Sequence, residues 1–439
     1  MKSKYYLILF SIIFLFFSVV LHLNVSPVNP YQDIDSKAYI HPALNFYENN
    51  SFSDGSIPYY CLGYAFFVGF LYKIFVPSNS FVTWVQVLIA LLTGFLIFFI
   101  ARRLFNEKIA LISFVIFTFN VGFLTFNQFI LTEILLTFLL TLFLYLFIIF
   151  LSDNKLIYLF LSGLSLGLSI VVKPAAIYFI LFIVLFLAIF LDNTCLQKLK
   201  FIILFCFAFY LPVFGYMYFN KVNYNEFRIA ALGNENLYFY LFPKVLASKN
   251  KTDVKQETQK LASMLTGNKM ASSSWISIKQ LFIQNLQENP ILFIKIWLQN
   301  VSKTFLGLYS CNLKVLVEPN TRGGDISFFK NSGNLIARSW IYIIAGTTSF
   351  SVKLISFLEA IWTILRYILC FIALMFLLIR KKWSLLFLLA GYIFYFSMIT
   401  GHDGCARFRM MFEPVLIILS ALGFWVILER VGICKIDIS

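Results

Sequence analysis

Long stretches of apolar side chains, separated by short polar connections, run through most of this chain. A helix needs about 20 apolar residues to cross the hydrocarbon core of a bilayer, and ten stretches come close to that length. We therefore predict an all-α polytopic membrane protein with about ten spans. They lie near Tyr5–Leu23, Phe81–Ala101, Ile109–Phe126, Phe129–Leu151, Leu156–Val172, Ala175–Leu191, Phe201–Phe219, Leu354–Ile379, Ser384–Ile399 and Met411–Leu428.

The amino-acid composition supports a membrane location for much of the chain. Of its 439 residues, 60% are hydrophobic and 13% are charged, whereas soluble domains carry about 25% charged residues. The formal charge of +15 suits anionic lipid headgroups or phosphate-bearing lipids. We therefore expect membrane lipids as partners, and no nucleic acid.

Basic residues in the short connections predict the orientation. Cytoplasmic loops of membrane proteins carry an excess of Lys and Arg. With the N-terminus inside, every predicted inner connection is basic: Arg102, Arg103 and Lys108; Lys155; Lys198 and Lys200; Arg380, Lys381 and Lys382; Arg430 and Lys435. Lys2 and Lys4 precede an apolar run without a small-residue cleavage site, which predicts an uncleaved anchor.

This orientation divides the chain into three regions. Residues 1–219 form an N-terminal transmembrane module with a first outer loop at 24–80. Residues 220–353 are far more polar and form one large extracytoplasmic loop. Residues 354–439 form the C-terminal transmembrane helices.

Two apolar segments in the outer regions do not fit a simple span. Leu62–Val76 is short and contains Lys73, and a crossing there would move several basic loops outside. We predict an interfacial or re-entrant helix on the outer side. Ile291–Tyr309 mixes apolar and basic residues at helical spacing, which is typical of a helix lying flat on the outer leaflet.

The seven cysteines are scattered, without a C-x-x-C pair. This spacing predicts neither a zinc site nor a disulfide framework. A single bridge between two of Cys61, Cys311 and Cys405 stays open. Gly163-x-x-x-Gly167 is typical of close helix packing, and we interpret His22 and His41 as structural.

Ionisable residues at the edge of a membrane are costly and often functional, and here they fall near the predicted outer ends of the spans. They are Asp33, Asp35, Glu133, Lys173, His402, Asp403, Arg407 and Arg409. A solvated loop would also explain the two aspartates, and a snorkelling anchor would explain Lys173. The short basic loop His402–Arg409 suits either anionic lipid or a phosphate clamp.

Six motifs, in chain order, resemble those of a known superfamily. They are Asp35, Tyr39 and Ala43 in DSKAYIHPA; GYAFFVGFLYKIF (Gly63–Phe75); ARRLF (Ala101–Phe105); LTEILLTFLL (Leu131–Leu140); GLSLGLSIVVKP (Gly163–Pro174); and CARFRMMFEPVLIILSALG (Cys405–Gly423). Their order resembles GT-C glycosyltransferases, particularly bacterial relatives of dolichyl-phosphate-mannose protein mannosyltransferases and of the lipid A aminoarabinose transferase. Leu62 and Ala65 stand where that superfamily has proline, and Cys61 where it has a polar or basic residue. The resemblance covers the spans from residue 1 to about 220 and the last span, but not Tyr224–Val352.

The resemblance implies a GT-C-like fold and transfer of a sugar, with inversion, from a polyprenyl-phosphate donor to an extracytoplasmic lipid, glycan or protein acceptor. It implies Asp35 as the general base, with Asp33 second, and Arg407, Arg409 and Lys173 as ligands of the donor phosphate. It also implies that the sugar or the acceptor is positioned by Glu133, Tyr39, Tyr64, His402 and Asp403. No cofactor or metal is required, although a metal bridging Asp35 and the phosphate stays open.

The implied location is the inner membrane of a bacterium, with the reaction on the extracytoplasmic face. Three alternatives stay open. An O-antigen-type polymerase or ligase would rely on Arg228, Arg322 and Arg338 in the large outer loop. A lipid or solute transporter usually shows repeated halves and charges near the bilayer midplane, and we expect neither here. A non-catalytic scaffold would not need the charged cluster.

Overall fold

The computed structural model describes residues 2–25, 34–52, 60–75, 77–230, 236–266, 272–318, 334–342 and 348–432. Helices dominate this part of the chain, and it contains no β-strand. The all-α fold class expected from the sequence is therefore confirmed.

Ten α-helices occupy the described residues between 2 and 230. They are α1 (Lys2–Asn24), α2 (Ile34–Asn49), α3 (Gly63–Ile74), α4 (Asn79–Leu104), α5 (Glu107–Thr118), α6 (Val121–Phe126), α7 (Glu133–Asp153), α8 (Leu156–Val172), α9 (Phe179–Phe190) and α10 (Cys195–Tyr224). Six α-helices follow in the described residues between 236 and 342. They are α11 (Phe242–Asn250), α12 (Val254–Thr266), α13 (Ser272–Glu288), α14 (Pro290–Leu306), α15 (Ser310–Val317) and α16 (Leu335–Trp340).

The C-terminal region contains three helices, α17 (Phe350–Ile379), α18 (Trp383–Met398) and α19 (Glu413–Arg430). Two short 3-10 helices, Ile399–His402 and Ala406–Met411, connect α18 to α19. Helix α19 packs against α17 and also against α4 and α5. The C-terminal region is thereby joined to the N-terminal bundle.

Six helices of the described chain are long and apolar enough to cross a membrane. They are Ser3–Asn24, Asn79–Leu104, Glu133–Asp153, Cys195–Tyr224, Phe350–Ile379 and Trp383–His402. Three shorter apolar helices accompany them, Gly63–Ile74, Leu156–Val172 and Phe179–Phe190. The protein is a multi-pass membrane protein, and the count of ten spans stays a prediction.

Polar caps explain where several helices start, and two predicted spans differ from the observed helices. The predicted span Ile109–Phe126 is two helices, because the side chain of Asn120 accepts from the N–H of Phe123 and starts α6 there. The predicted span Phe129–Leu151 begins its helix only at Glu133. Thr194 and Gln197 form a capping box at the start of α10.

The Gly163-x-x-x-Gly167 prediction is confirmed, since both glycines lie where α8 packs against α10. A Cβ added to Gly163 would lie 2.8 Å from the carbonyl oxygen of Phe205, and one on Gly167 would lie 2.2 Å from that of Phe209. Only glycine allows backbones to approach so closely.

The two irregular outer segments are helical, as predicted. Leu62–Val76 contains α3, whose buried side chains include Tyr64, Val68 and Tyr72; α3 packs against α2 and α8. Ile291–Tyr309 contains α14, which packs against both 3-10 helices before α19. Their position relative to the membrane stays a prediction.

Cysteine pairing does not occur in the described chain. Cys61, Cys311 and Cys405 are all free thiols. The single bridge left open by the sequence is therefore absent among these three residues. Cys311 instead lies 3.0 Å from the hydroxyl of Tyr342.

Candidate active site

Four side chains from distant parts of the sequence form one ionic cluster, here called the Asp35 cluster. Nη1 of Arg407 donates to Oδ2 of Asp35 at 2.7 Å, and Nε of Arg407 donates to Oε1 of Glu133 at 2.6 Å. Nζ of Lys173 donates to the same Oε1 of Glu133 at 3.2 Å. One arginine therefore bridges two carboxylates, and a lysine completes the group.

Local sequence explains how each of these side chains reaches the cluster. Asp35 lies in the first turn of α2, where a carboxylate suits the helix dipole. Glu133 is the first residue of α7. Lys173 ends α8 because Pro174 follows it and disfavours further helix. Arg407 lies in the 3-10 helix Ala406–Met411.

Burial differs sharply within the cluster. The side chain of Glu133 is 3% exposed, that of Arg407 12%, that of Lys173 24% and that of Asp35 35%. Oε2 of Glu133 is buried and makes no hydrogen bond in the described structure. Asp35 therefore faces the open side of the cluster, and Glu133 forms its buried floor.

Aromatic hydroxyls surround Asp35. The hydroxyl of Tyr60 lies 3.4 Å from Oδ1 of Asp35, and burial, then Asp35, raises the pKa of Tyr60. The ring of Tyr39 lies 5.6 Å from that of Tyr60 and 5.2 Å from that of Tyr64. The hydroxyl of Tyr64 donates to Gln86 at 2.6 Å, so it does not point into the cluster.

A second polar group lies near the cluster. Nζ of Lys244 donates to Oδ1 of Asp403 at 2.8 Å. Burial lowers the pKa of Lys303, and the nearby positive charge of Lys244 lowers it further. The negative charge of Asp403 acts in the opposite direction. Burial, then Asp35 and Asp403, raises the pKa of Tyr240. Tyr240 is therefore close enough to both Asp35 and Asp403 to be affected by their charges.

His402 and Asp403 do not contact Asp35 directly. Nδ1 of His402 lies 3.0 Å from the carbonyl oxygen of Ile399, and its ring lies 5.5 Å from that of Phe408. Nζ of Lys173 lies 4.9 Å from the centre of the same Phe408 ring. Phe408 therefore separates the imidazole from the lysine.

The structure does not bring Arg409 into the Asp35 cluster, contrary to the role expected from the sequence. Arg409 is 1% exposed, and Nη1 donates to the carbonyl oxygens of Phe305 at 2.8 Å and Gly307 at 2.7 Å. Nε lies 3.3 Å from Glu413, and Nη2 lies 3.8 Å from Glu359. The reason is geometric: residues two apart in the 3-10 helix Ala406–Met411 point in different directions.

Arg409 belongs to a second buried network, here called the Glu413 network. Nη1 of Arg366 donates to Oε1 of Glu413. Asn120 donates to the same oxygen at 2.6 Å, and the hydroxyl of Tyr309 donates to Oε2 at 3.0 Å. The backbone N–H groups of Tyr309 and Ser310 donate to Glu359 at 2.6 and 2.8 Å.

Two members of this network lie within a candidate span, although from the sequence we expect no charges near the bilayer midplane. Glu359 and Arg366 both lie within α17, a helix apolar enough to cross a membrane. The sequence carried the signal, because two ionisable residues seven apart in a predicted span share one helix face. We did not select these two residues from the sequence, because the residues around them are apolar and predict an ordinary span.

Other predicted residues lie elsewhere or outside the described structure. Asp33 and Arg322 lie outside the described residues. Arg228 pairs with Glu226, and neither Arg228 nor Arg338 shows a contact with the Asp35 cluster. Within the described residues, no group of three or more His, Cys, Asp or Glu side chains is placed to hold a metal ion.

One family model matches a part of the chain that carries two residues of this site. The model described as dolichyl-phosphate-mannose-protein mannosyltransferase matches residues 60–216. That range includes Glu133 and Lys173 but neither Asp35 nor Arg407. A comparison with curated proteins found no match.

Solved structures resemble nearly the whole chain. The archaeal oligosaccharyltransferase AglB from Archaeoglobus fulgidus, in complex with an inhibitory peptide and a dolichol-phosphate, has a TM-score of 0.53 at 13% identity and covers 98% of this chain. The apo form of the Archaeoglobus fulgidus enzyme has a TM-score of 0.53 at 15% identity, also over 98% of this chain. This chain covers 51% of each of those chains, so it spans about half of their length.

A third structure is less similar. ArnT from Cupriavidus metallidurans, bound to undecaprenyl phosphate, has a TM-score of 0.42 at 12% identity, covering 97% of this chain and 78% of its own. The expected fold is confirmed by the two archaeal structures.

Proposed function

We propose, from the premise that this chain has a GT-C fold, that it is a membrane glycosyltransferase using a polyprenyl-phosphate sugar. The acceptor is an extracytoplasmic hydroxyl on a lipid, a glycan or a protein. The observation that carries the proposal is the Asp35 cluster, in which the accessible carboxylate of Asp35 binds Arg407, and Glu133, the first residue of a candidate span, binds both Arg407 and Lys173. This arrangement suits the transfer of a sugar away from an anionic leaving group.

Asp35 is the general base of the proposed reaction. A base must lie within hydrogen-bond reach of the proton that it accepts, and Asp35 is the most exposed carboxylate of the cluster. It removes the proton of the acceptor hydroxyl as that oxygen bonds to the anomeric carbon. Arg407 orients the carboxylate through the 2.7 Å bond to Oδ2.

Lys173 and Arg407 stabilise the leaving group. As the bond between the anomeric carbon and the phosphate oxygen breaks, its electron pair leaves with the lipid phosphate. Fixed cations at the place where charge develops stabilise a transition state strongly when water is excluded. Lys173 is partly exposed, so a phosphate can approach its amine beside the ring of Phe408.

Glu133 positions the other groups and offers one acceptor to the substrate. Oε1 already receives bonds from Arg407 and Lys173, whereas buried Oε2 makes none. A buried acceptor without a donor is unfavourable, and a sugar hydroxyl would satisfy it. Glu133 thereby holds both cations and orients the sugar.

Asp35→Asn tests the proposal, because it keeps the shape of the side chain and removes the base. We expect turnover to fall by roughly 10²–10⁴-fold, measured as release of labelled sugar from a polyprenyl-phosphate donor. Glu48→Gln is the matched control, since Glu48 is an exposed carboxylate at the other end of α2. Wild-type turnover in Asp35→Asn, with normal expression, would remove Asp35 from this role.

A further inference from the structure

A cavity of about 650 Å³ lies between α1, α6, α15 and α17, and none of the Asp35 cluster lines it. Most of its wall is apolar and includes Phe17, Leu21, Leu124, Leu313, Ile355 and Trp362. The function proposed above does not use this cavity. Its shape and chemistry are nevertheless those of a ligand site, because a mostly apolar wall surrounds a few polar groups.

Some polar atoms on the wall make no hydrogen bond within the part of the chain that the structure describes. Arg366 lines the cavity and is 2% exposed, yet Nε and Nη2 of its guanidinium make no hydrogen bond. Its contact with Glu413 uses Nη1 alone. Oγ1 of Thr125, also buried on this wall, makes no hydrogen bond either. Unsatisfied buried donors are costly, so the wall favours a ligand that brings acceptor oxygens.

The cavity is continuous with the lipid-facing surface. Phe17, Val20 and Leu358 line it and are 39%, 40% and 55% exposed on candidate spans. A molecule dissolved in the bilayer can therefore reach the cavity between α1 and α17. This route favours an amphipathic molecule with long apolar chains over a soluble ion.

The charges around the cavity are balanced. Arg366 and Arg409 carry two positive charges, and Glu359 and Glu413 carry two negative charges. The ligand therefore needs acceptor oxygens but no net charge. The ester and phosphate oxygens of a zwitterionic phospholipid meet this requirement.

We propose that this cavity binds one glycerophospholipid of the bilayer, with an acyl chain along the apolar wall and an ester or phosphate oxygen accepting from Arg366. The inference does not depend on the transferase reaction. Arg409 lines the cavity while Arg407 reaches the Asp35 cluster from the same 3-10 helix. A bound phospholipid therefore stabilises the segment that carries Arg407.

Native mass spectrometry of the full chain, delipidated and then given phosphatidylethanolamine, tests the proposal. Wild type should retain one lipid per chain. Ile355→Trp fills the cavity and should lower the retained fraction about tenfold. Ile361→Trp is the matched control, because Ile361 lies on α17, is 50% exposed and does not line the cavity; it should retain lipid as wild type does.

Arg366→Lys tests the polar contact separately. Lysine keeps the charge opposite Glu413 but lacks Nε and Nη2, so retention of phosphatidylethanolamine should fall while the chain stays folded. This variant also covers the case in which Ile355→Trp fails to fold. Equal retention in Ile355→Trp and Ile361→Trp would overturn the proposal. So would retention of undecaprenyl phosphate but not phosphatidylethanolamine, which would make the cavity a site for a substrate lipid.

Discussion

At the scale of single residues, Arg407 is the centre of the candidate site. Its guanidinium joins Asp35 to Glu133 through two separate nitrogens. No spacing rule connects these three residues in the sequence, since they lie on α2, α7 and the loop before α19. The motifs identified them as candidates, and only the fold shows which of them touch.

Arg407→Lys tests this bridging role. A lysine keeps the charge but cannot hold two carboxylates with a planar fork. Loss of one charge-assisted bond costs about 1.5–3 kcal/mol, which corresponds to roughly a tenfold to hundredfold fall in kcat. Turnover of the labelled sugar donor by the purified variant in detergent measures this fall in kcat.

Arg103→Lys is the matched control for that change. Arg103 pairs with Asp153, and both side chains are about one third exposed, so turnover should stay near wild type. Unchanged turnover in Arg407→Lys would show that the bridge is not needed for the reaction.

At the scale of elements, the packing of α8 on α10 places Lys173. The spacing of Gly163 and Gly167 predicted close helix packing, and the structure shows that α10 is the partner. The sequence pattern did not predict the break between α5 and α6 at Asn120. A single capping residue within an apolar run hardly changes the hydrophobic pattern. Predictions at this scale succeed where the pattern is periodic and fail where one polar side chain ends a helix.

Gly167→Ala tests the α8–α10 contact. The added Cβ would lie 2.2 Å from the carbonyl oxygen of Phe209, and overpacking of this kind costs about 1–3 kcal/mol. The thermal midpoint in detergent should fall by several degrees.

Gly215→Ala on α10 is the control, because nothing lies within 4 Å of its added Cβ. Its thermal midpoint should stay level or rise slightly, since alanine favours helix over glycine. Equal midpoints in the two variants would mean that α8 and α10 are not tightly packed.

At the scale of the whole molecule, the Glu413 network links regions that the sequence divides. It joins Asn120 of residues 1–219, Tyr309 of residues 220–353 and Arg366 of residues 354–439. The sequence predicted the division at 219 and 353 from polarity. It did not predict the link, because long-range ionic contacts leave no local pattern.

Glu413→Gln tests how far this network holds the regions together. Removing one member of a buried ion pair leaves the other charge uncompensated and costs about 3–5 kcal/mol. We expect a large loss of thermal stability. Size-exclusion chromatography after heating measures the fraction of protein that stays folded. Glu107→Gln, at an exposed residue of α5, should change little. Similar stability in both variants would contradict a structural role for the network.

The central claim is that the sugar donor is a polyprenyl monophosphate and that Asp35 acts on the acceptor. The most direct measurement gives purified wild type and Asp35→Asn a panel of labelled polyprenyl-phosphate and polyprenyl-diphosphate sugars and follows release of the lipid carrier. The account predicts release from at least one monophosphate donor by wild type, and little or none by Asp35→Asn. Release from diphosphate donors alone, or release that Asp35→Asn leaves unchanged, would contradict it.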